Sequence, residues 1–429
     1  MGMNFPSAPL FGELYPNPAV PEKPQYKWDG TTWTAVGDSA GGSGVFVSDT
    51  EPTPVPDGSL WWKSNQGTLN IKYNDGDTTQ WTEAVAIPVP DMTWAAPYDA
   101  MAYSGMQING SMEVSQERNH TPTNIHNSVI SDGWRLYCMT NAISAQTAPH
   151  TTLFPGFTYY LNLQVQTPDT SVTGGEFYGA EHVIEGYRVN RLAWGSAVAT
   201  PITISFWTAH VRTGIYSFTL RNADGTRCYA QTYTQNAANT NEFKTFVIPG
   251  CIDGVWNTSN GNGLSVFFAM AAGPTMTAPS AGVWLSGAVN YVAAPGQINA
   301  MAAVSDTMRI TGLAVLPGTA APTAAQSSRI MRPYDQELLT CKRYWRKDRA
   351  HAVGNAYAIG AYVGVRIPYA PEMRATPAIT LFTNTSSGAG ARAVSVAHTL
   401  PTGVTIYAQA TAAGGLIEFS DDVASDARL

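Results

Sequence analysis

Between residues 157 and 165 apolar side chains recur at every second position: Phe157, Tyr159, Leu161, Leu163 and Val165. A period of two places them on one face of an extended strand, so the segment predicts a strand with one buried side. Residues 202–208 read the same way, and further strands are predicted at 215–221, 228–233, 243–248, 264–270, 282–285 and 308–315. Turn residues separate them, among them Asp224-Gly225, Pro249-Gly250, the Asn-Gly repeat at 260–263 and Pro295-Gly296. About ten short strands at this spacing predict a two-sheet sandwich of the jelly-roll kind over residues 101–334.

A single short helix interrupts the strand pattern. Asp335 suits an N-cap, and Leu338, Cys341 and Trp345 follow at helical spacing. Lys342, Arg343, Arg346, Lys347 and Arg349 gather on the other side, toward the C-terminal end where the macrodipole favours cations. Beyond it, strands are predicted at 357–367, 378–383, 392–398, 404–410 and 414–419. So few strands bury little surface alone. Residues 335–429 therefore read as a short helix plus a small β domain that packs on the sandwich or on symmetry copies.

The first hundred residues follow another pattern. Pro6, Pro9, Pro16, Pro18, Pro21 and Pro24 fix φ and remove donors, which predicts an extended arm ordered by contact with a neighbour. A short repeat follows. The segment from Tyr26 through Trp28, Asp29-Gly30 and Trp33 to Val36 echoes that from Tyr73 through Asp75-Gly76 and Trp81 to Val85. Each copy predicts a hairpin turned at Asp-Gly, with aromatics paired across the ladder. Together with Trp61 and Trp62 between the copies, residues 1–100 read as an attachment module whose contacts are Pro16, Pro18, Tyr26, Trp28, Trp33, Trp61, Trp62 and Trp81. The fold class expected is thus mainly β, in three parts: 1–100, 101–334 and 335–429.

Composition narrows the function. Charged residues make up 13% of the 429, against ~25% in an average soluble domain. The net charge of −7 argues against nucleic acid as partner. No apolar run is long enough to cross a bilayer, and the first ten residues lack the basic start and apolar core of a secretory signal, so assembly in a cytoplasm is expected. Cys138, Cys228, Cys251 and Cys341 have neither zinc nor redox spacing and are expected as buried thiols.

Catalytic chemistry finds little footing. Glu176, Glu181, Glu185 and Asp253 are acids without a pairing that would mark a glycosidase, and no nucleotide loop or nucleophile elbow occurs. Asp253, Asn260 and Asn262 could ring a calcium ion, but a glycine-rich turn accounts for the same residues, so no metal or cofactor is expected. Sugar recognition fits the composition better, because aromatic faces cover the apolar side of a sugar ring. Trp256 lies beside a polar, glycine-rich loop and leads the stacking candidates, followed by Trp194, Trp284 and Tyr291.

Five stretches, in order, resemble a widespread family of bacteriophage virion proteins of the tail-fibre kind. They are Gln107-Ile-Asn-Gly-Ser-Met-Glu-Val-Ser-Gln116; Ile184-Glu-Gly-Tyr-Arg-Val-Asn-Arg-Leu-Ala-Trp-Gly195, continued by Pro201 to Trp207; Val247-Ile-Pro-Gly250 with Gly254-Val-Trp256 and Asn260-Gly-Asn-Gly-Leu264; Tyr334 to Tyr344; and Met373-Arg-Ala-Thr-Pro377. The chain departs from the family at Leu313-Ala-Val-Leu-Pro-Gly318, where relatives carry a Glu before the helix. The resemblance implies a particle component, usually a homotrimer, with a sandwich similar to carbohydrate-binding modules; it does not imply a catalytic site. The function expected is a non-enzymatic phage appendage that docks on other virion proteins by its N-terminus and contacts host surface polysaccharide. The alternatives are a capsid, collar or neck decoration without receptor, or a glycan depolymerase.

Overall fold

A computed structural model describes residues 5–17, 25–36, 45–84, 105–150, 152–288, 290–382, 386–388 and 394–429. Pro18 and the boundary expected at 100/101 lie outside the described residues. The chain is mainly β and forms two compact units, Met1–Trp94 and Ala95–Leu429.

The first unit holds two small sheets. One joins β1 (Leu14–Tyr15), β2 (Gln25–Trp28) and β3 (Trp33–Val36); the other joins β4 (Val45–Ser48), β5 (Leu60–Lys63), β6 (Thr68–Asn74) and β7 (Thr79–Glu83). The expected hairpins are β2–β3 and β6–β7. Both turns use one device. The Asp29 carboxylate accepts the Thr31 and Thr32 amides at 2.8 and 2.7 Å, and that of Asp75 accepts Asp77 and Thr78 at 3.0 and 2.6 Å. These bonds hold both carboxyls below the usual range. Gly30 and Gly76 follow with φ of +101° and +98°, where a Cβ is disfavoured.

The second unit contains the expected sandwich. Its strands are β8 (Ser128–Ser131), β9 (Trp134–Cys138), β10 (Ile143–Pro149), β11 (Tyr159–Val165), β12 (Phe177–Glu185), β13 (Ile202–Thr208), β14 (Gly214–Arg221), β15 (Arg227–Gln235), β16 (Glu242–Ile248), β17 (Asn262–Ala272), β18 (Trp284–Ser286) and β19 (Thr307–Pro317). A five-stranded sheet runs β10-β11-β19-β13-β16 and a seven-stranded sheet runs β18-β15-β14-β17-β12-β9-β8, all pairs antiparallel. Inward residues of both sheets, including Leu161, Leu163, Phe206, Phe218 and Phe268, form one core. All four cysteines are buried free thiols.

After a one-turn helix α1 (Gly186–Val189) within the sandwich, a second helix, α2 (Tyr334–Cys341), leads to the C-terminal strands. It corrects the expected helix in two ways. Pro333, extended at ψ 149°, precedes it in place of Asp335, which lies in the first turn. The helix also ends at Cys341, because Trp345 opens β20 (Trp345–Ala356). That strand pairs along its whole length with β26 (Gly415–Asp426), a set of hydrogen bonds a helix there would forfeit. Four of the five cations expected on the helical face are ion-paired instead: Arg343 with Glu185, Arg346 with Asp348, and Lys347 and Arg349 with Asp422.

The remaining strands are β21 (Tyr362–Pro368), β22 (Ala378–Leu381), β23 (Ser386–Gly388), β24 (Ser395–Leu400) and β25 (Gly403–Gln409). With β20 and β26 they form two small sheets over a core that includes Ile406, Ile417 and Phe419. A polar joint fastens this region to the sandwich. The buried Glu185 carboxylate accepts Arg343 twice, at 2.7 and 3.0 Å, and the Tyr344 hydroxyl at 2.7 Å. Arg374 donates to Asn260 O at 2.6 Å, and Asn260 Nδ2 donates back to Arg374 O at 2.9 Å. Glu337 accepts the Asn109 amide at 2.8 Å.

Candidate functional site

The residues proposed for stacking split into two groups. Trp194, Trp256 and Trp284 come together edge to face, with ring centroids 4.7, 5.3 and 5.7 Å apart. Their indole N–H groups donate to Thr200 O, Asp253 O and Pro249 O. Trp194 and Trp256 are each only 7% exposed, so these two indoles present no open face to a sugar. The physical reason is local. Trp194 lies in the connection between β12 and β13 and Trp256 in that between β16 and β17, and these bulky indoles pack on each other and on Trp284 instead of facing solvent. Tyr291 lies elsewhere, packed with Ala230, Ala278 and Ala294.

The calcium alternative meets a similar obstacle. Asp253 uses both oxygens on Arg227, at 2.7 and 2.9 Å, which holds its carboxyl below the usual range, and Asn260 is tied to Arg374. Among the described residues no group of three or more His, Cys, Asp or Glu could hold a metal.

The sheet itself offers a better-formed site. In β9, Trp134, Leu136 and Cys138 point into the core, so Arg135 and Tyr137 project from the outer face. The same alternation turns Glu181 outward from β12, Ser265 from β17 and Arg221 from β14. Register makes them neighbours: Glu181 pairs with Arg135, and Arg221 with Ser265. Glu181 accepts the Tyr137 hydroxyl at 2.9 Å and Arg221 Nη2 at 3.0 Å. Burial, with the charge of Glu181, pushes the Tyr137 phenol up, so it stays a hydrogen-bond donor at neutral pH.

These side chains line an open cleft of about 210 Å³, completed by Asn222, Asn262 and Asn290. Asn262 Nδ2 donates to Ser265 Oγ at 3.0 Å, while Asn262 Oδ1 and Arg221 Nε have no hydrogen-bond partner. Behind the cleft, Phe267 is covered by Val292 and Ala293 of the following loop. The wall thus combines a phenol, guanidinium groups and amides on a rigid sheet face.

Of these residues, sequence reading had singled out Glu181 and Asn262, each for a different chemistry. Tyr137, Arg135 and Arg221 escaped it, because Arg135 and Tyr137 lie far in sequence from Glu181 and Arg221 and meet them only through strand register. Glu176 accepts Thr173 N and Oγ1, and Glu185 belongs to the joint, so neither acid borders the cleft.

In the first unit, Tyr26 and Trp33 pack on Phe5 at 5.1 Å each, and Trp28 lies 5.6 Å from Trp33. The Pro16 carbonyl accepts Gln25 Nε2 at 2.8 Å. Trp61 is buried against Trp81 at 5.4 Å, whereas Trp62 is 40% exposed beside the exposed strand Val45-Phe46-Val47. Most of the proposed docking aromatics therefore form the unit's own small cores, and Trp62 is the most open of them.

No protein family and no curated protein matches the chain. Three of the solved structures it matches are remote. Tailspike protein 4 of bacteriophage CBA120, in its enzymatically active domain, matches at 13% identity and a TM-score of 0.29, over 50% of this chain and 22% of that one. The matched part thus spans about a fifth of the tailspike chain. The C-terminal family 22 carbohydrate binding module of Clostridium thermocellum Xyn10B matches at 9% identity and a TM-score of 0.26, over 48% of this chain and 99% of that one. TmCBM61 in complex with β-1,4-galactotriose matches at 12% and 0.23, over 43% and 88%.

Proposed function

We propose that this protein is a non-enzymatic structural component of a bacteriophage particle, a homotrimeric appendage that binds host surface glycan through the cleft on its seven-stranded sheet. The observation that carries the glycan reading is the cleft wall. Beside the half-buried Tyr137 ring, Arg135, Arg221 and the exposed Asn290 offer hydrogen-bonding groups suited to sugar hydroxyls. The virion reading rests on the five sequence blocks and on the attachment module that precedes them. The absence of enzymatic activity is part of the proposal: Glu181 and Asp253 are bonded to arginines and Glu185 lies in a buried joint, which leaves no acid pair flanking the cleft among the described residues.

Docking on other virion proteins falls to residues 1–100, with assembly in the host cytoplasm. Particles assembled with a chain lacking residues 1–100 are expected to omit it, as read by immunoblotting of purified virions; normal incorporation removes the docking assignment. Full-length protein applied to host cells or a glycan array is expected to bind, and Tyr137→Ala to weaken that binding without loss of fold. Polysaccharide incubated with the protein should release no oligosaccharide. A decoration protein without receptor is the second reading, favoured by the closed tryptophan cluster, and it predicts no glycan binding at all.

A further inference from the structure

In the first unit, the sheet of β4 to β7 has two unlike faces. Trp61 and Trp81 share one of them and pack together at 5.4 Å. The segment between β4 and β5 covers this face: Lys72 Nζ donates to Val55 O at 2.6 Å, and Trp81 Nε1 to Glu51 Oε1 at 3.1 Å. Register fixes the composition of the other face. Val45 pairs with Leu60 and Leu60 with Ile71, while Val47 pairs with Trp62 and Trp62 with Leu69. Tyr73 extends the row along β6, opposite Gln80. None of these apolar side chains is buried: Val47 is 67% exposed, Tyr73 52%, Val45 46% and Trp62 40%. Taking roughly 150–250 Å² for a large side chain, those four alone offer on the order of 400 Å², a patch of the size that marks an interaction surface.

Charge indicates what covers it. Among the described residues this face carries no charged side chain, because Lys63, Lys72 and Glu83 alternate to the other side. Surfaces that meet separately folded partners are about as polar as the rest of a protein, whereas faces shared permanently between copies resemble a core cut in half. Two copies, each of net charge −7, approach with least repulsion where neither carries charge. Size points the same way. A unit this small, with one apolar sheet face left open, buries too little surface to stand alone, and the partner present from synthesis onward is a sister chain.

We propose that this face is where copies of the chain meet, each covering the apolar face of its neighbour. The proposal rests on the homotrimer reading above and names a surface that holds the copies together. Trp62 then serves self-association, and docking on other virion proteins falls to the rest of the module.

The four native cysteines are buried, so a cysteine placed on either face is the thiol open to a maleimide. Full-length Val47→Cys treated with a bis-maleimide is expected to give covalently joined chains on a denaturing gel. Thr79→Cys, exposed on the opposite face, is expected to stay single. Val47→Glu places a charge in the contact and should weaken association at least about tenfold, read by light scattering on dilution, while Thr79→Glu keeps the parental value. If the parent has the mass of three chains but Val47→Cys stays single, Thr79→Cys joins equally well, or Val47→Glu leaves association unchanged, the face is overturned and the homotrimer stands. A parent of two-chain mass joined through Val47 keeps the face and removes the homotrimer. A parent of one-chain mass brings down both.

Discussion

Two buried histidines show what single residues contribute. His182 Nδ1 faces Gly133 O at 2.8 Å while its Nε2 accepts the Ile108 amide at 3.2 Å; His210 Nε2 faces the Tyr233 hydroxyl at 3.0 Å while its Nδ1 accepts the Arg309 amide at 3.1 Å. Each ring thus has one nitrogen committed as acceptor and is held neutral. Burial pushes His182 down to about 4 and His210 to about 3, with Lys244 and Arg309 adding to the latter. An imidazole ordinarily titrates near 6.5, so below that pH the unfolded chain takes up protons the folded chain refuses. The stability they give is complete above pH 6.5 and is lost as pH falls toward 4. Asp132 acts oppositely: burial, against two bonds from Gln116, raises its carboxyl to about 6, so acidification from 6 to 4 relieves a buried charge. Two imidazoles outweigh one carboxyl, by on the order of 4 kcal/mol at pH 4 relative to pH 7. Urea unfolding should show the midpoint dropping across that window and a shallower drop in His182→Gln; a flat profile refutes the assignment. A second single-residue effect belongs to the joint. Arg343→Ala leaves Glu185 buried with only the Tyr344 hydroxyl, an expected cost of about 3–5 kcal/mol in the same measurement.

At the scale of elements, the chain announced its strands unevenly. β11 was legible because only one of its faces is buried, so Leu161, Leu163 and Val165 alternate with more exposed residues. β13 is buried on both faces, since Trp207 bonds Ser327 and Thr203 bonds Ala320 of the covering segment; it was still legible by the alternation of Ile202, Ile204 and Phe206 with Thr203 and Ser205. β12 was not foreseen. Its Tyr-Gly-Ala-Glu-His run mixes small, acidic and basic residues, and Gly179 is required because a Cβ there would meet Phe268 O. β20 was misread, because its run of arginines and lysines mimicked the polar face of a helix, while its buried positions are partly small alanines that carry little pattern. The site suffered for a related reason: its residues come from four strands and no local motif contains two elements of it. The tryptophan cluster gives the element-scale prediction. Trp256→Ala opens a cavity beside Trp194 and Trp284 and should lower stability by about 3–5 kcal/mol. Glycan retention per folded molecule should stay at the parental level, measured on samples matched for folded fraction. A selective loss of binding with unchanged stability would restore Trp256 as a stacking residue.

For the molecule as a whole, the five blocks that suggested a phage family turn out to be mechanically linked. Asn109 of the first bonds Glu337 of the fourth, Glu185 of the second bonds Arg343 and Tyr344 of the fourth, and Asn260 of the third bonds Arg374 of the fifth. These contacts build a joint, while Asn262 of the third block lines the cleft. The joint also bears on where the chain can be cut. Ile108 and Val114 of the sandwich pack against Cys341 and Tyr344, so a fragment ending at residue 333 would expose that apolar patch. It would also leave the Glu185 carboxylate without either of its donors and Asn260 without Arg374. Unpaired buried charge and exposed core act together here, and the expected cost of several kcal/mol is comparable with the whole stability of an ordinary domain. A 105–333 fragment is therefore expected to aggregate or to bind a hydrophobic dye. Residues 95–429 should instead unfold in one cooperative transition, with fluorescence and circular dichroism tracing the same curve. Two separated transitions in the longer fragment would show that the C-terminal sheets stand on their own, and that the joint holds two domains together without being needed by either.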